Sequence, residues 1–212
     1  MSFLGVVVDA SQQPRYLMLE MMSGGSLERL IYPNGTSREG VVMPLERATS
    51  IIIDLCRALE YLHSLRTAVL HLDIRPDNIL LDASGRAKLS DLGESHVVQS
   101  TRTRTGTVGI FGVGAPVYMA PEMQLADSVK NRKTDMFSLG VVVAEIGSGR
   151  RPNPGPAMRQ TGPMVFHAIA EQDRRAGDIA AIRHESLKQL ARQLIRHEPA
   201  DRLSASEAAA AL

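Results

Sequence analysis

The stretch that most constrains the fold is Asp135-Met136-Phe137-Ser138-Leu139-Gly140, which runs on through Val141, Val142, Val143 and Ile146. Its apolar residues fall on several faces of a helix and draw no single stripe, so the segment is expected to be buried and central. Two further elements gather around it. Leu45, Ala48, Ile52, Leu55, Leu59 and Leu62 recur every three or four residues and draw one apolar stripe, with Pro44 suited to the first turn of that helix. Leu187, Leu190 and Leu194 mark another helix, and Ser204 with Glu207 forms a capping box for a last one ending at Leu212.

Strand signals are short and local. Residues 3–8 and 16–19 are apolar runs separated by Asp9 to Pro14, which reads as a β-hairpin, and Ile79–Leu81 with Ala87–Leu89 around Asp82-Ala83-Ser84-Gly85 reads as a second. Ser26 caps a short helix over Leu27–Ile31, Tyr32–Gly40 is loop, residues 147–155 are a stop and turn, and Met164–Ala170 suggests a further short helix. The fold class is therefore α+β, mainly α.

Between Val69-Leu70 and Ile79-Leu80-Leu81 lies His71-Leu72-Asp73-Ile74-Arg75-Pro76-Asp77-Asn78. A short loop between strand-like runs here carries an acid, a guanidinium and an amide, and a packed scaffold can fix their directions. This octapeptide resembles the catalytic loop H-x-D-[LI]-[KR]-P-x-N of protein kinases. Asp91-Leu92-Gly93, thirteen residues after Asn78, resembles the family's D-F-G, and Ala120-Pro121-Glu122, twenty-nine after Asp91, resembles its A-P-E. Gly114-Ala115-Pro116-Val117-Tyr118-Met119 before it is similar to the Ser/Thr branch of that family.

The resemblance implies a set of roles. Asp73 would accept the proton of a substrate hydroxyl and Arg75 would meet the transferred phosphate. Asn78 and Asp91 would hold Mg2+, an ion that takes oxygen ligands and keeps some water. ATP would place its adenine against the backbone of Glu20 and Met22, with Leu80 below and Leu19 guarding the back. Residues 1–19 would be a remnant of the small lobe, 20–25 the hinge and 26–212 the complete large helical lobe. Asp135 would hold the catalytic-loop backbone, His71 would be a packed spacer, and Arg202 would be the buried partner of Glu122. The implied reaction is transfer of the ATP γ-phosphate to protein hydroxyls.

Three features depart from the family pattern. The arginine usual before the catalytic Asp is Leu72, and the threonine usual in the closing segment is Ala115. The glycine-rich loop, the strand lysine and its glutamate partner have no counterparts in these 212 residues. The chain alone is expected to be very slow or inactive, since such catalysis rests on positioned charge. A two-stranded hairpin alone is marginal and its edges invite pairing, so a longer product or a partner chain is expected to cover residues 3–19. A pseudokinase or scaffold that binds partner proteins is the alternative. Thr101, Thr103 and Thr105, interleaved with Arg102 and Arg104, fall in the segment corresponding to the activation loop. Without an arginine at position 72, phosphate control there lacks its expected partner.

A net charge of +1 gives no field that would favour nucleic acid or an anionic membrane. No run reaches the roughly 18 apolar residues of a membrane span. Phe3–Val8 lacks the basic leader of a signal peptide, and Ser2 excludes the myristoylation glycine. Cys56, the single cysteine, cannot form an internal disulfide and reads as a buried apolar residue. A reducing compartment, cytoplasmic or nuclear, is expected.

Overall fold

The computed structural model describes residues 2–35, 38–97, 103–104, 116–124, 129–152, 175 and 177–212. Strands β1 (Phe3–Val8) and β2 (Pro14–Leu19) pair antiparallel, with Phe3 opposite Leu19 and Val7 opposite Tyr16. The connection is pinned by Asp9, whose Oδ1 accepts the N–H of Ser11 at 2.8 Å and of Gln13 at 3.0 Å. Pro14 joins the strand, so the turn is shorter than its polar composition suggests. The alternation expected of a half-buried hairpin is absent: Leu4, Val6, Val8, Tyr16, Leu17 and Met18 are all exposed, and both faces of the ribbon are apolar.

The chain then enters β3 (Gly25–Ser26) and α1 (Leu27–Ile31). Ser26 Oγ accepts the Arg29 N–H at 3.3 Å, as expected of a helix cap. Helix α2 (Leu45–Ser64) begins directly after Pro44, which stands at the cap and not inside the first turn. Its buried surface is wider than the sequence stripe. Ala48, Ile52, Leu55 and Leu59 are fully buried, but so are Ile51 and Cys56, while Leu45 is exposed and Leu62 only half-buried. The helix is covered from more than one side, and a single 3.6-residue stripe underestimates that.

Next come β4 (Val69–Leu70), β5 (Ile79–Leu81) and β6 (Ala87–Leu89), with β5 central in a three-stranded sheet of order β3-β5-β6. Strand β7 (His96–Val97) pairs with β4, and β8 (Thr103–Arg104) pairs with β9 (Val129–Lys130).

Helix α3 (Arg132–Ser148) forms the centre, with every residue from Thr134 to Ser148 buried. Its start is a reciprocal cap: Asn131 Oδ1 accepts the Lys133 N–H at 2.8 Å and Thr134 Oγ1 accepts the Asn131 N–H at 3.1 Å. It ends at Gly149, where φ is 66° and a side chain would be strained. Gly140 faces helix α4 (Glu185–Leu194); a Cβ there would come within 2.7 Å of Leu194 and Ile195, so its absence lets the two helices close. Leu187, Leu190 and Leu194 are buried against that contact. Helix α5 (Ala205–Ala210) carries the expected Ser204–Glu207 box and stops two residues short of the expected Leu212. The helix expected over Met164–Ala170 lies outside the described residues. The result is helix-rich with a few short strands, in line with the expected class.

Candidate active site

The loop from His71 to Asn78 is shaped from behind. The Asp135 carboxylate, fully buried near the start of α3, accepts the His71 N–H at 3.0 Å on Oδ2 and the Leu72 N–H at 2.9 Å on Oδ1. His63 Nε2 from α2 lies 2.7 Å from the same Oδ2. These bonds hold Leu72 at φ 63°, a left-handed conformation that costs a branched residue about 1 kcal/mol or more. The Leu72 side chain is only 4% exposed and packs into the core.

His71 serves as the expected spacer. Its Nδ1 accepts the Asp73 N–H at 3.3 Å and its Nε2 bonds the Ser90 carbonyl at 3.0 Å. Because a backbone N–H can only donate, Nδ1 must be bare and the proton sits on Nε2. One neutral imidazole thereby ties the residue before Asp91 to Asp73.

Asp73 is half-buried, and its Oδ2 accepts from Asn78 Nδ2 at 2.7 Å, with the Asp73 carbonyl accepting from the same nitrogen at 2.9 Å. The Asn78 amide nitrogen is thus committed and its side-chain oxygen is left as the ligand-capable atom. The single turn Pro76–Asn78, closed by Asn78 N–H to the Arg75 carbonyl at 3.0 Å, sets that direction. The Asn78 carbonyl accepts both the N–H of Ser90 at 2.8 Å and its hydroxyl at 2.9 Å. This extends the β5–β6 ladder by one step and brings Asp91, the next residue, beside Asn78. Asp91 is exposed and left-handed at φ 61°, and its Oδ1 accepts the Gly93 N–H at 3.2 Å.

Arg75 pairs with the Asp77 carboxylate through Nη2. Burial works against its charge, but Asp77 and, more weakly, Asp73 outweigh it and raise the guanidinium above its ordinary value. Its Nε is buried with no hydrogen-bond partner among the described residues.

The four expected adenine-side residues come from two elements. Leu19 ends β2 and is partly exposed, and Glu20 follows it. Met22 is half-buried, and its carbonyl accepts the Gly25 N–H at 3.1 Å to close the turn that follows. Leu80 is the half-buried centre of β5. The Gly24 N–H reaches the Leu81 carbonyl at 2.9 Å, which docks the 22–25 turn on that strand. Glu20 Oε1 accepts Lys88 Nζ at 2.8 Å and the Ser2 N–H at 2.6 Å, and these two donors hold its carboxyl below the usual range. Lys88 carries no motif; only its place opposite Leu80 in the β5–β6 pair could have singled it out.

Farther out, Arg202 meets Glu122 as expected, at 2.6 and 2.8 Å. A second buried node escaped sequence reasoning: Glu145 on α3 accepts Tyr32 OH at 2.7 Å and Tyr118 OH at 2.8 Å. Burial pushes its pKa up to about 7, although the two hydroxyls and Arg151 pull the other way. Residues 113 apart give no local signal for such a contact. Thr101, Thr105 and Ala115 lie outside the described residues. Among the described residues no three His, Cys, Asp or Glu side chains cluster as a metal cage. The expected pair, one carboxylate and one amide oxygen, is a hard-oxygen set of the kind Mg2+ takes when a ligand's phosphates complete its shell.

The protein kinase domain model matches residues 2–211. A probable receptor-like protein kinase of Arabidopsis thaliana is 36% identical over 149 residues, covering 69% of this chain and 23% of that protein. Serine/threonine-protein kinase PknB of Mycobacterium leprae is 31% identical over 137 residues, 65% of this chain and 20% of its own. Serine/threonine-protein kinase SSK22 of Saccharomyces cerevisiae is 37% identical over 150 residues, 64% and 11%. The chain thus spans a quarter or less of the length of each of these three relatives. With the match running over nearly its whole length and the loop, ladder and buried ion pair in place, the chain belongs to the protein kinase family.

Proposed function

We propose that this domain transfers the γ-phosphate of ATP to hydroxyl groups of proteins, with Asp73 as base and Arg75 on the transferred phosphate. Asn78 and Asp91 would hold Mg2+, and Leu19, Glu20, Met22 and Leu80 would line the adenine slot. The observation that carries this reading is the pairing of Asn78 with Ser90. It supports this reading by pairing the Asn78 backbone with the residue before the exposed Asp91, while the Asn78 amide nitrogen bonds the half-buried Asp73 at 2.7 Å. Bound Mg2+ would supply charge neutralisation for the phosphates. This chain's own share is to aim Asp73 at the hydroxyl proton and to offer the Arg75 guanidinium to the phosphate.

In domain terms, residues 1–19 would be the reduced small lobe, 20–25 the hinge and 26–212 the large lobe. A cytoplasmic or nuclear setting is in keeping with the lone buried Cys56 and with the lack, among the described residues, of any helix long and apolar enough to cross a membrane. The partner would be a protein substrate.

The test is phosphate incorporation from labelled ATP with Mg2+ into a generic protein substrate, with Asp73→Asn as control. Incorporation that persists in Asp73→Asn would point to a contaminating kinase and remove the assignment. A second reading, a pseudokinase or scaffold, is favoured by the burial of Leu72 where the family's arginine stands. It is also favoured by the bare apolar hairpin, which a partner polypeptide would cover. No rise in thermal stability at millimolar ATP and Mg2+ would select it, because a ligand of the native state must stabilise that state.

A further inference from the structure

The hairpin of β1 and β2 is exposed on both faces, so its orientation is fixed at its base. Just beyond the Phe3–Leu19 pair, the Glu20 N–H reaches the Ser2 carbonyl at 2.9 Å and the Ser2 N–H reaches Glu20 Oε1 at 2.6 Å. The same Oε1 accepts Lys88 Nζ, at 2.8 Å, from β6 of the large lobe. One carboxylate oxygen therefore gathers the hairpin's first residue, its exit and a strand on the other side of the hinge.

A surface ion pair of this kind is ordinarily worth little. Three details set this one apart. Both side chains are about three-quarters buried, with Lys88 28% and Glu20 26% exposed, so solvent and salt screen them less. The carboxylate also accepts the Ser2 N–H, a second donor on the same oxygen. The ammonium is also flanked by Asp82 Oδ2 at 3.9 Å, and Asp82 is itself fixed through Oδ1 by Ser84 and Arg86. Direction matters as well. Lys88 stands directly opposite Leu80, and residues opposite one another in an antiparallel pair project to the same face. Lys88 thus projects from the same face of the sheet as Leu80 and reaches Glu20 from there.

We propose that Lys88 is a positioning residue that straps the base of the hairpin to the large lobe, and so fixes the height of Glu20 and Met22 over Leu80, the slot for the purine of a nucleotide. The strap rests on the kinase reading only for what the slot holds; its mechanical part stands without it.

The experiment separates the two. Nitroxide labels go on Ser11→Cys at the hairpin turn and Gln193→Cys on α4 in the 212-residue chain. Cys56 stays unlabelled because it is buried and burial pushes its thiol up to about 12. The label-to-label distance distribution is expected to widen at least twofold in Lys88→Met and to stay narrow in Lys88→Arg. Glu20→Gln, which keeps the shape and removes the charge, should widen it too, so the readout survives if Lys88→Met folds poorly. With ATP and Mg2+, Lys88→Met should bind about fivefold more weakly, in keeping with a loss near 1 kcal/mol. Widening with no nucleotide binding in any variant would uphold the strap and count against the nucleotide reading. An unchanged width in Lys88→Met and Glu20→Gln overturns the strap, whatever the nucleotide does.

Discussion

Arg202 spends all five of its N–H donors on acceptors fixed by the fold, two of them the oxygens of Glu122. Nη1 and Nη2 meet Oε1 and Oε2 at 2.6 and 2.8 Å, and the remaining donors go to the carbonyls of Arg196, Lys133 and His197. The guanidinium also lies 5.0 Å from the Phe137 ring. Lysine has neither the fork nor the donor count to replace it. Arg202→Lys or Arg202→Met should destabilise the domain by about 3 to 5 kcal/mol, the cost of leaving a buried charge unpaired. Urea unfolding measures it, and a loss under about 1 kcal/mol would contradict the burial argument.

Asp135 is the corresponding test for the loop from His71 to Asn78. Asp135→Asn keeps one acceptor oxygen but turns an amide N–H toward donors, and should cost about 2 to 3 kcal/mol. Amide exchange at His71 and Leu72 should accelerate at least tenfold, since both N–H groups bond that carboxylate. Unchanged exchange at those two amides would mean the loop is held elsewhere.

The pH response follows from Glu145. Its folded pKa of about 7 lies above the ordinary 4.5, so the folded state binds the extra proton between those values. Its contribution is fully present below about pH 4.5 and is lost as pH rises towards 7, a loss of about 3 kcal/mol by proton linkage. Glu145→Gln keeps an acceptor oxygen for one tyrosine, turns an amide N–H to the hydroxyl oxygen of the other, and removes the titration. Chemical denaturation from pH 5 to 8 should show a flatter stability profile in the variant than in the parent, and parallel profiles would sink the assignment.

Leu17 lies 67% exposed on β2, within a ribbon whose exposed apolar side chains lie on both faces. Such an edge favours pairing between chains. Leu17→Lys should lower self-association in sedimentation velocity while changing unfolding stability by less than about 0.5 kcal/mol. Equal association in both proteins would show that the ribbon does not drive it.

Leu72 is part of the core, so no cation from that position can meet a phosphate on the neighbouring segment. Thr103→Ala should therefore leave any phosphoryl transfer within about threefold of the parent. A tenfold fall in the same assay would reveal another phosphate partner.

Local patterns carried most of what could be read from the chain. The Ser204–Glu207 box, the β5–β6 hairpin and helix α1 announce themselves within a few residues, because caps, turns and periodicity act at short range. The stripe on α2 misjudged Leu45 and missed Ile51, since coverage from several sides depends on elements far along the chain. The resemblance named Asp73, Arg75, Asn78 and Asp91, and the β5–β6 ladder explains how Asn78 and Asp91 become neighbours. The links through Lys88 and Glu145 were invisible in sequence: Glu20 and Lys88 are 68 positions apart, and no local pattern pairs their side chains.

The support that Asp135 gives from the rear has a further meaning for how such a domain ages. Leu72, His71 and the turn keep their form through a helix that must stay intact for folding, so a descendant that had abandoned catalysis would preserve the outline of the loop. Asp73 and Asp91 are different: one is half-buried and the other exposed, and neither belongs to the apolar core of the described residues. Architecture alone does not demand either acid, which makes the pair a sensitive gauge of whether the proposed chemistry is in use.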